Sequence, residues 1–443
     1  MSSITSSSTL PAWFTERQQA ARARYESLPA PKRNDETWRF SNLKQLDFAG
    51  FEMAASNASA KDLIARSHGL GKTAAKFVFA NDQLIHSECH VANGIVCLPL
   101  ADALVSHSEL VQAHFMKQET RLGSAKFAAL HEASVSNGLF VHVPENTEVD
   151  GTIEVHHWTC GANTMSFPHT LVVTGKSSKV RVIDIFRSAD ELSPGVVIAY
   201  NDLAAGQNSQ LDYVAIQAVN EVSRIIQINE TTTARDASAK GFILNIGASW
   251  ARNESLSRLE GAGSRSDMLS VSIPAREQEY DQRTFQHHFS PGAYSDLLYK
   301  NSLYDHSRTI FSGLIFVDEG AHHTDAYQTC RNLLMSDTCE ANSMPGLEIN
   351  ADQVKCSHGS TSSQISDEEI FYLRARGIDP AFEFCNHLVA LLMNLLRAER
   401  EQVKNAPEYR PAAASRDSGR GRWRQPAHRS SPPCASWPWE AAI

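Results

Sequence analysis

Apolar residues change their rhythm twice along the chain. Over residues 1–135 they recur mainly at helical spacing. Residues 12–28 are rich in Ala, Arg, Gln and Glu and stop at Pro29 and Pro31. Residues 61–68 suit a second helix, and residues 104–130 a third, with Leu104, Val105, Leu110, Val111 and Phe115 at mixed three- and four-residue steps. Residues 76–79 between them are apolar and β-prone. Over residues 136–350 the period becomes two. Short alternating runs such as Leu139, Val141 and Val143, or Val180, Val182 and Asp184, are bounded by Gly, Asn, Asp and Ser. Scarcely a convincing helix interrupts them, which excludes a parallel sheet joined by helical crossovers. Sandwich, barrel and β-solenoid remain. An internal echo favours the solenoid: Gly175-Lys-Ser-Ser-Lys-Val-Arg-Val resembles Gly206-Gln-Asn-Ser-Gln-Leu-Asp-Tyr, 31 residues on, and Gly261-Ala-Gly-Ser-Arg-Ser-Asp-Met is a weaker copy.

Residues 351–405 turn helical again. Ser366 and Glu369 make a capping box, Ile370, Phe371 and Leu373 follow, and Gly377 stands in the stop position. Asp379 and Pro380 open another helix. Residues 406–443 hold three of the seven Trp and six of the 17 Pro, with six Arg against three acids and no periodicity. Such a segment is expected to be disordered.

Composition narrows the function classes. With 41 Lys and Arg against 50 Asp and Glu, the net charge of -9 argues against nucleic acid and anionic membranes as partners. No 18-residue apolar run offers a transmembrane span, and the Ser/Thr-rich start does not read as a signal peptide. The eight cysteines show no CxxC pair, so zinc-ribbon and thioredoxin-like signatures are absent and a reducing, cytoplasmic setting is expected.

Most candidate chemistry fails on spacing. Gly69-Leu-Gly-Lys-Thr73 imitates a phosphate loop, but Arg66 stands where the first glycine belongs. The histidine pairs 156–157, 287–288 and 322–323 fall in β-type sequence, where neighbours point to opposite faces; one inward and one outward imidazole is expected of each. HExxH, GxSxG and a cupin-type GxxxxxHxH strand are all absent. A carbohydrate-active β-helix enzyme would need clustered carboxylates or a calcium site, and none stands out. Residues 354–358 are more promising. If extended, Val354, Cys356 and His358 share one face, with Lys355 and Ser357 on the other, and residues two apart lie roughly 6.5–7 Å apart along the strand. A thiolate and an imidazole there suit a soft metal or cluster, with the remaining ligands supplied from elsewhere.

That stretch, continued through Ser366-Asp-Glu-Glu-Ile-Phe-Tyr-Leu-Arg-Ala-Arg-Gly377, resembles the C-terminal motif of the SufB/SufD family of iron–sulfur cluster assembly proteins. So do His288-Phe-Ser-Pro-Gly-Ala-Tyr-Ser-Asp296, Ile310-Phe-Ser-Gly-Leu-Ile-Phe-Val317, Ala321-His-His-Thr-Asp-Ala-Tyr-Gln328 and Asn332-Leu-Leu-Met-Ser-Asp337. Asp35-Glu-Thr-Trp-Arg-Phe-Ser41 resembles the opening of the family's D-type branch rather than its B-type paralogue. The resemblance implies a mainly β protein: a right-handed parallel β-helix core flanked by N- and C-terminal helical regions. It implies a non-catalytic scaffold that joins a B-type paralogue and the ATPase SufC, or pairs with itself when isolated, and receives sulfur through the complex. An Fe–S cluster would be held transiently at the subunit interface, with His358 and Cys356 as ligands, and not stably by the isolated chain. Ser366, Asp367, Glu368, Glu369, Phe371, Tyr372, Arg374 and Gly377 would form the ATPase-docking surface. After about Pro380 the resemblance stops.

Overall fold

The computed structural model describes residues 10–364, save Asn93, together with Glu368, Phe371 and Ala375. The tail 406–443, most of the helical region expected beyond 364, and Ser366, Asp367, Glu369, Tyr372, Arg374 and Gly377 lie outside the described residues.

Within them the chain forms a parallel β-solenoid of about eight turns with helices toward the N-terminus. Two ten-stranded sheets face each other, and the chain alternates between them, so sheet neighbours are strands one full coil apart. The back sheet runs from Gln83–Cys89 through Thr73–Ala80 and Thr152–Thr159 to Lys355–Gln364. The front sheet runs from Val96–Pro99 through Leu139–Val143 to Arg308–Val317 and Glu340–Ile349. Pairing is parallel throughout, except where Gln83–Cys89 and Val96–Pro99 cap the first coil in antiparallel fashion. The β-prone segment at 76–79 is thus part of a strand, Thr73–Ala80, that opens the back sheet against Thr152–Thr159.

The echo in the sequence marks one corner of successive coils. Asn146, Ser177, Asn208, Asp236, Gly263, Gly292, His323 and Gln353 each turn that corner at φ between +55° and +68°, 27 to 31 residues apart. Asn, Asp and Gly are the residues that tolerate this left-handed conformation best. Two residues earlier the preceding coil presses on the corner. A Cβ on Gly206 would lie 2.3 Å from Thr174 O, and one on Gly261 would lie 2.0 Å from Arg235 N. Only glycine allows coils to stack so closely there.

The solenoid interior changes along its axis. The early coils are filled by aliphatic side chains such as Ile153, Val155, Val172 and Val182. The later coils are lined by amides and hydroxyls joined across coils: Asn201 Nδ2 donates to Asn229 Oδ1 at 2.7 Å, Asn245 Nδ2 to Ser272 Oγ at 3.0 Å, and Asn301 Nδ2 to Asn332 Oδ1 at 2.8 Å. A buried amide ladder suits strands in strict register, because each side chain meets its counterpart one coil on.

The outer face of the front sheet is also covered. Helix Ala12–Ser27 packs on helix Ala125–Ser134, and Arg17 Nε donates to the buried Glu132 at 2.7 Å. The expected helix over 104–130 is broken into Leu100–Ser106, Ser108–His114 and Ala125–Ser134. The chain enters the last of these past Gly123, φ +120°, where a Cβ would lie 2.8 Å from both Arg252 Nη2 and Trp38 Nε1. Residues 37–52 then run across the strand starts of the front sheet as a strap. Arg308 Nη2 donates to Phe40 O at 3.4 Å, Asn42 N to Glu279 Oε1 at 2.7 Å, Arg224 Nη1 to Gln45 O at 2.7 Å, and Glu52 N to Asn163 O at 3.0 Å. Arg224, Glu279 and Arg308 sit in one register row, with Trp250 between the first two.

The first two histidine pairs place one imidazole inward and one outward, as expected, but the outward member is buried as well. His156 and His157 are both buried, as are His287 and His288, while His322 and His323 are both exposed. Alternation holds, but at the first two pairs both faces of the strand are packed. His157 lies inside, stacked between Phe79 and Phe186, and His156 lies outside next to the buried Glu154. The third pair sits on a coil corner and not in a strand.

Candidate functional site

The last coil is open. Among the described residues, strands Glu340–Ile349 and Lys355–Gln364 are the final strands of the two sheets, each paired on one side only. Their outer edges present unpaired backbone donors and acceptors, a ready template for another chain.

Cys356 and His358 both lie on Lys355–Gln364, opposite Ala326 and Gln328 respectively. Cys356 is half-buried among Ile315, Val317, Ala326 and Val354. Alternation places His358 on the same side of the strand, and it is exposed, in the last strand among the described residues. The structure therefore brings the two sequence-derived donors together at the open end. Burial, with the Asp325 carboxylate nearby, pushes the Cys356 thiol above its ordinary value. The free protein thus holds it as a thiol, and a cluster would have to displace its proton on binding.

Behind these donors the interior is polar. Gln328, 1% exposed and directly beside His358 in the ladder, has no partner for either amide atom. Cys330 is fully buried, with Asn301 Nδ2 and Asn332 Oδ1 each 3.7 Å from its sulfur, and burial pushes its thiol up to about 12. Asn332 Nδ2 continues the network to Ser362 Oγ at 3.1 Å and Ser343 Oγ at 3.2 Å. Spacing alone singles out neither Gln328 nor Cys330. Their signal is the register: each faces the last strand one coil on. Among the described residues no group of three or more His, Cys, Asp or Glu side chains is placed to hold a metal ion. Cys356 and His358 by themselves are too few side chains to hold a metal ion.

Of the residues expected to dock the ATPase, only Glu368 and Phe371 are described. Both are in helical conformation and exposed, Phe371 with 74% of its surface free. No helix among the described residues is long and apolar enough to cross a membrane.

Comparison with known proteins agrees with this geometry. Residues 157–381 match the family model described as "SUF system FeS cluster assembly, SufBD core domain", and residues 3–155 match the "SufBD protein N-terminal region". Among similar proteins are the iron–sulfur cluster assembly SufBD family protein slr0076 of Synechocystis, 26% identical over 83% of each chain, and the assembly protein SufD of Bacillus subtilis, 24% identical over 83% of this chain and 86% of that protein. Escherichia coli SufD is 34% identical over 49% of this chain and 51% of its own length. A two-sheet solenoid whose open last coil carries paired soft donors, matched by both family models over nearly its whole described length, belongs to the SufBD family of Fe–S cluster assembly proteins.

Proposed function

We propose that this chain is the D-type scaffold subunit of a complex that assembles Fe–S clusters and passes them on, with the cluster as cargo at the interface between its last coil and a B-type paralogue. The observation that carries the reading is the exposed edge strand bearing His358 and Cys356, which offers backbone pairing and two ligands at once. His358 is the first ligand and Cys356 the second; the partner supplies the rest. Similarity to proteins named SufD, and the opening motif at Asp35–Ser41 that lies in the front-sheet strap, support the D-type assignment over the B-type. The chain itself catalyses nothing in this reading. A SufC-type ATPase docks on the helical region around Ser366, Asp367, Glu368, Glu369, Phe371, Tyr372, Arg374 and Gly377, and ATP-driven movement of that region is transmitted along the rigid solenoid to the interface.

His358→Ala, co-expressed with a B-type paralogue and the ATPase, should leave the complex intact on a sizing column and remove the visible charge-transfer absorption of the assembled cluster. Normal cluster yield would strike His358 from the ligand set. Reversing charge with Asp367→Lys and Glu368→Lys should weaken ATPase co-purification at least tenfold with only a small stability loss, since both acids also favour the helix N-terminus. Retained co-purification would place the docking surface elsewhere.

A further inference from the structure

The N-terminal end of the solenoid carries a thiol pair that cluster assembly does not use. Cys89 is the last residue of Gln83–Cys89, the edge strand of the back sheet, and Cys97 lies in Val96–Pro99, the edge strand of the front sheet. The connection between them crosses from one sheet to the other over the mouth of the apolar interior. Cys97 is 5% exposed within that interior, and Val91 packs against it. Cys89 is exposed.

The two sulfurs are set up for different tasks. The Cys89 thiol donates to the Cys97 backbone carbonyl, with Sγ and O 3.9 Å apart. The Cys97 thiol, the Val91 backbone N–H and the nearby His90 all favour the thiolate at Cys89, which is lowered to about 6. Burial and the neighbouring Cys89 push Cys97 well above its ordinary value. An accessible thiolate next to a protonated, sheltered thiol is the arrangement of a nucleophilic and a resolving cysteine.

We propose that Cys89 and Cys97 are a hydroperoxide-oxidised pair whose disulfide latches the two sheets together across the N-terminal mouth of the solenoid. The Cys89 thiolate attacks a peroxide oxygen; the S–O bond forms as the O–O bond breaks, and the departing hydroxide takes a proton and leaves as water. The Cys97 sulfur then attacks the sulfenic sulfur of Cys89. The S–S bond forms, the S–O bond breaks, and the Cys97 proton leaves with the oxygen as a second water. One peroxide and two thiols thus yield one disulfide and two waters, and a dithiol reductant restores the pair by exchange. Forming the bond, ~2.0 Å between sulfurs, asks for movement on the side where Cys89 meets solvent.

The test uses the full chain, reduced and then exposed to substoichiometric hydrogen peroxide, with remaining thiols blocked by N-ethylmaleimide and mapped by peptide mass spectrometry. An intramolecular Cys89–Cys97 linkage should appear first, with Cys89 consumed roughly three- to tenfold faster than Cys356, whose thiol is pushed up by burial. Iodoacetamide alkylation of Cys89 should reach half its plateau near pH 6. In Cys97→Ser, dimedone should trap a sulfenic acid at Cys89; in Cys89→Ser, Cys97 should stay reduced. Cys89 reacting no faster than Cys356, or linking only between chains, would overturn the proposal, as would Cys97 oxidising without Cys89.

Discussion

Arg252→Ala will destabilise the protein by about 3–5 kcal/mol, measured by chemical denaturation, the cost of stripping a buried ion pair of one partner. The guanidinium is fully buried in the outer face of the front sheet. Its Nε donates to Glu254 at 2.6 Å, its Nη1 pairs with Asp281, and its Nη2 donates to Thr37 O at 2.9 Å and Leu122 O at 2.7 Å. The face of the Trp38 ring lies 3.6 Å from its central carbon. One side chain therefore satisfies two carboxylates and two carbonyls from four separate stretches of chain. Alanine leaves Asp281 with Arg283 alone, at 2.5 Å, and leaves Glu254 with Ser124. Methionine at 252 is the control for shape: it should recover part of the Trp38 packing but little of the charge balance. A loss under 1 kcal/mol for Arg252→Ala would mean that the strap does not depend on this residue.

Acid will weaken the wild type more than His288→Gln. His288 is fully buried in the solenoid interior, with Nε2 2.8 Å from Ser295 Oγ and Nδ1 without a partner. Desolvation, with the neighbouring His287, lowers its pKa to about 3. The unfolded chain titrates near 6.5, so below that pH it binds a proton that the folded state refuses. Stability from this group is complete above pH 6.5 and falls as pH drops toward 3. Between pH 7 and 5 the wild type should lose about 2 kcal/mol relative to His288→Gln, which keeps a donor for Ser295 and cannot titrate. The difference between the two proteins is the quantity to measure. Asp82 and Asp296, raised to about 6 by burial, act with the opposite sign, since their folded forms gain protons first. Parallel pH curves for the two proteins would show that His288 is not held neutral.

The coil repeat was visible in the sequence where glycine marked it, at 175, 206 and 261. Other coils turn the same corner on Asp236, His323 and Gln353, whose identity hides the conformation. The donor pair was legible because strand alternation alone places Cys356 and His358 on one side. Gln328 and Cys330 were not, because they meet the last strand through coil register, and an irregular repeat of 27 to 31 residues conceals register. The burial of the outward histidines His156 and His287 and of Arg252 is hidden in the sequence for a shared reason. Alternation identifies the faces of a strand but not what lies on them, and all ten residues of Glu279–His288 are buried. Over Arg252 and Glu279 the cover comes from residues 130 to 237 positions earlier, so no local window contains it.

In a stack of coils each turn touches only its neighbours, and such chains lose structure one repeat at a time from their ends. The strap over residues 37–52 changes that arithmetic. It touches strand starts from Thr164 to Arg308 and so binds coils that never meet directly. Those coils should exchange their amide protons as one cooperative block, opening together or not at all. The coil bearing Cys356 and His358 lies beyond the last strand the strap reaches. It can fray, or be remade against a partner, without cost to the rest.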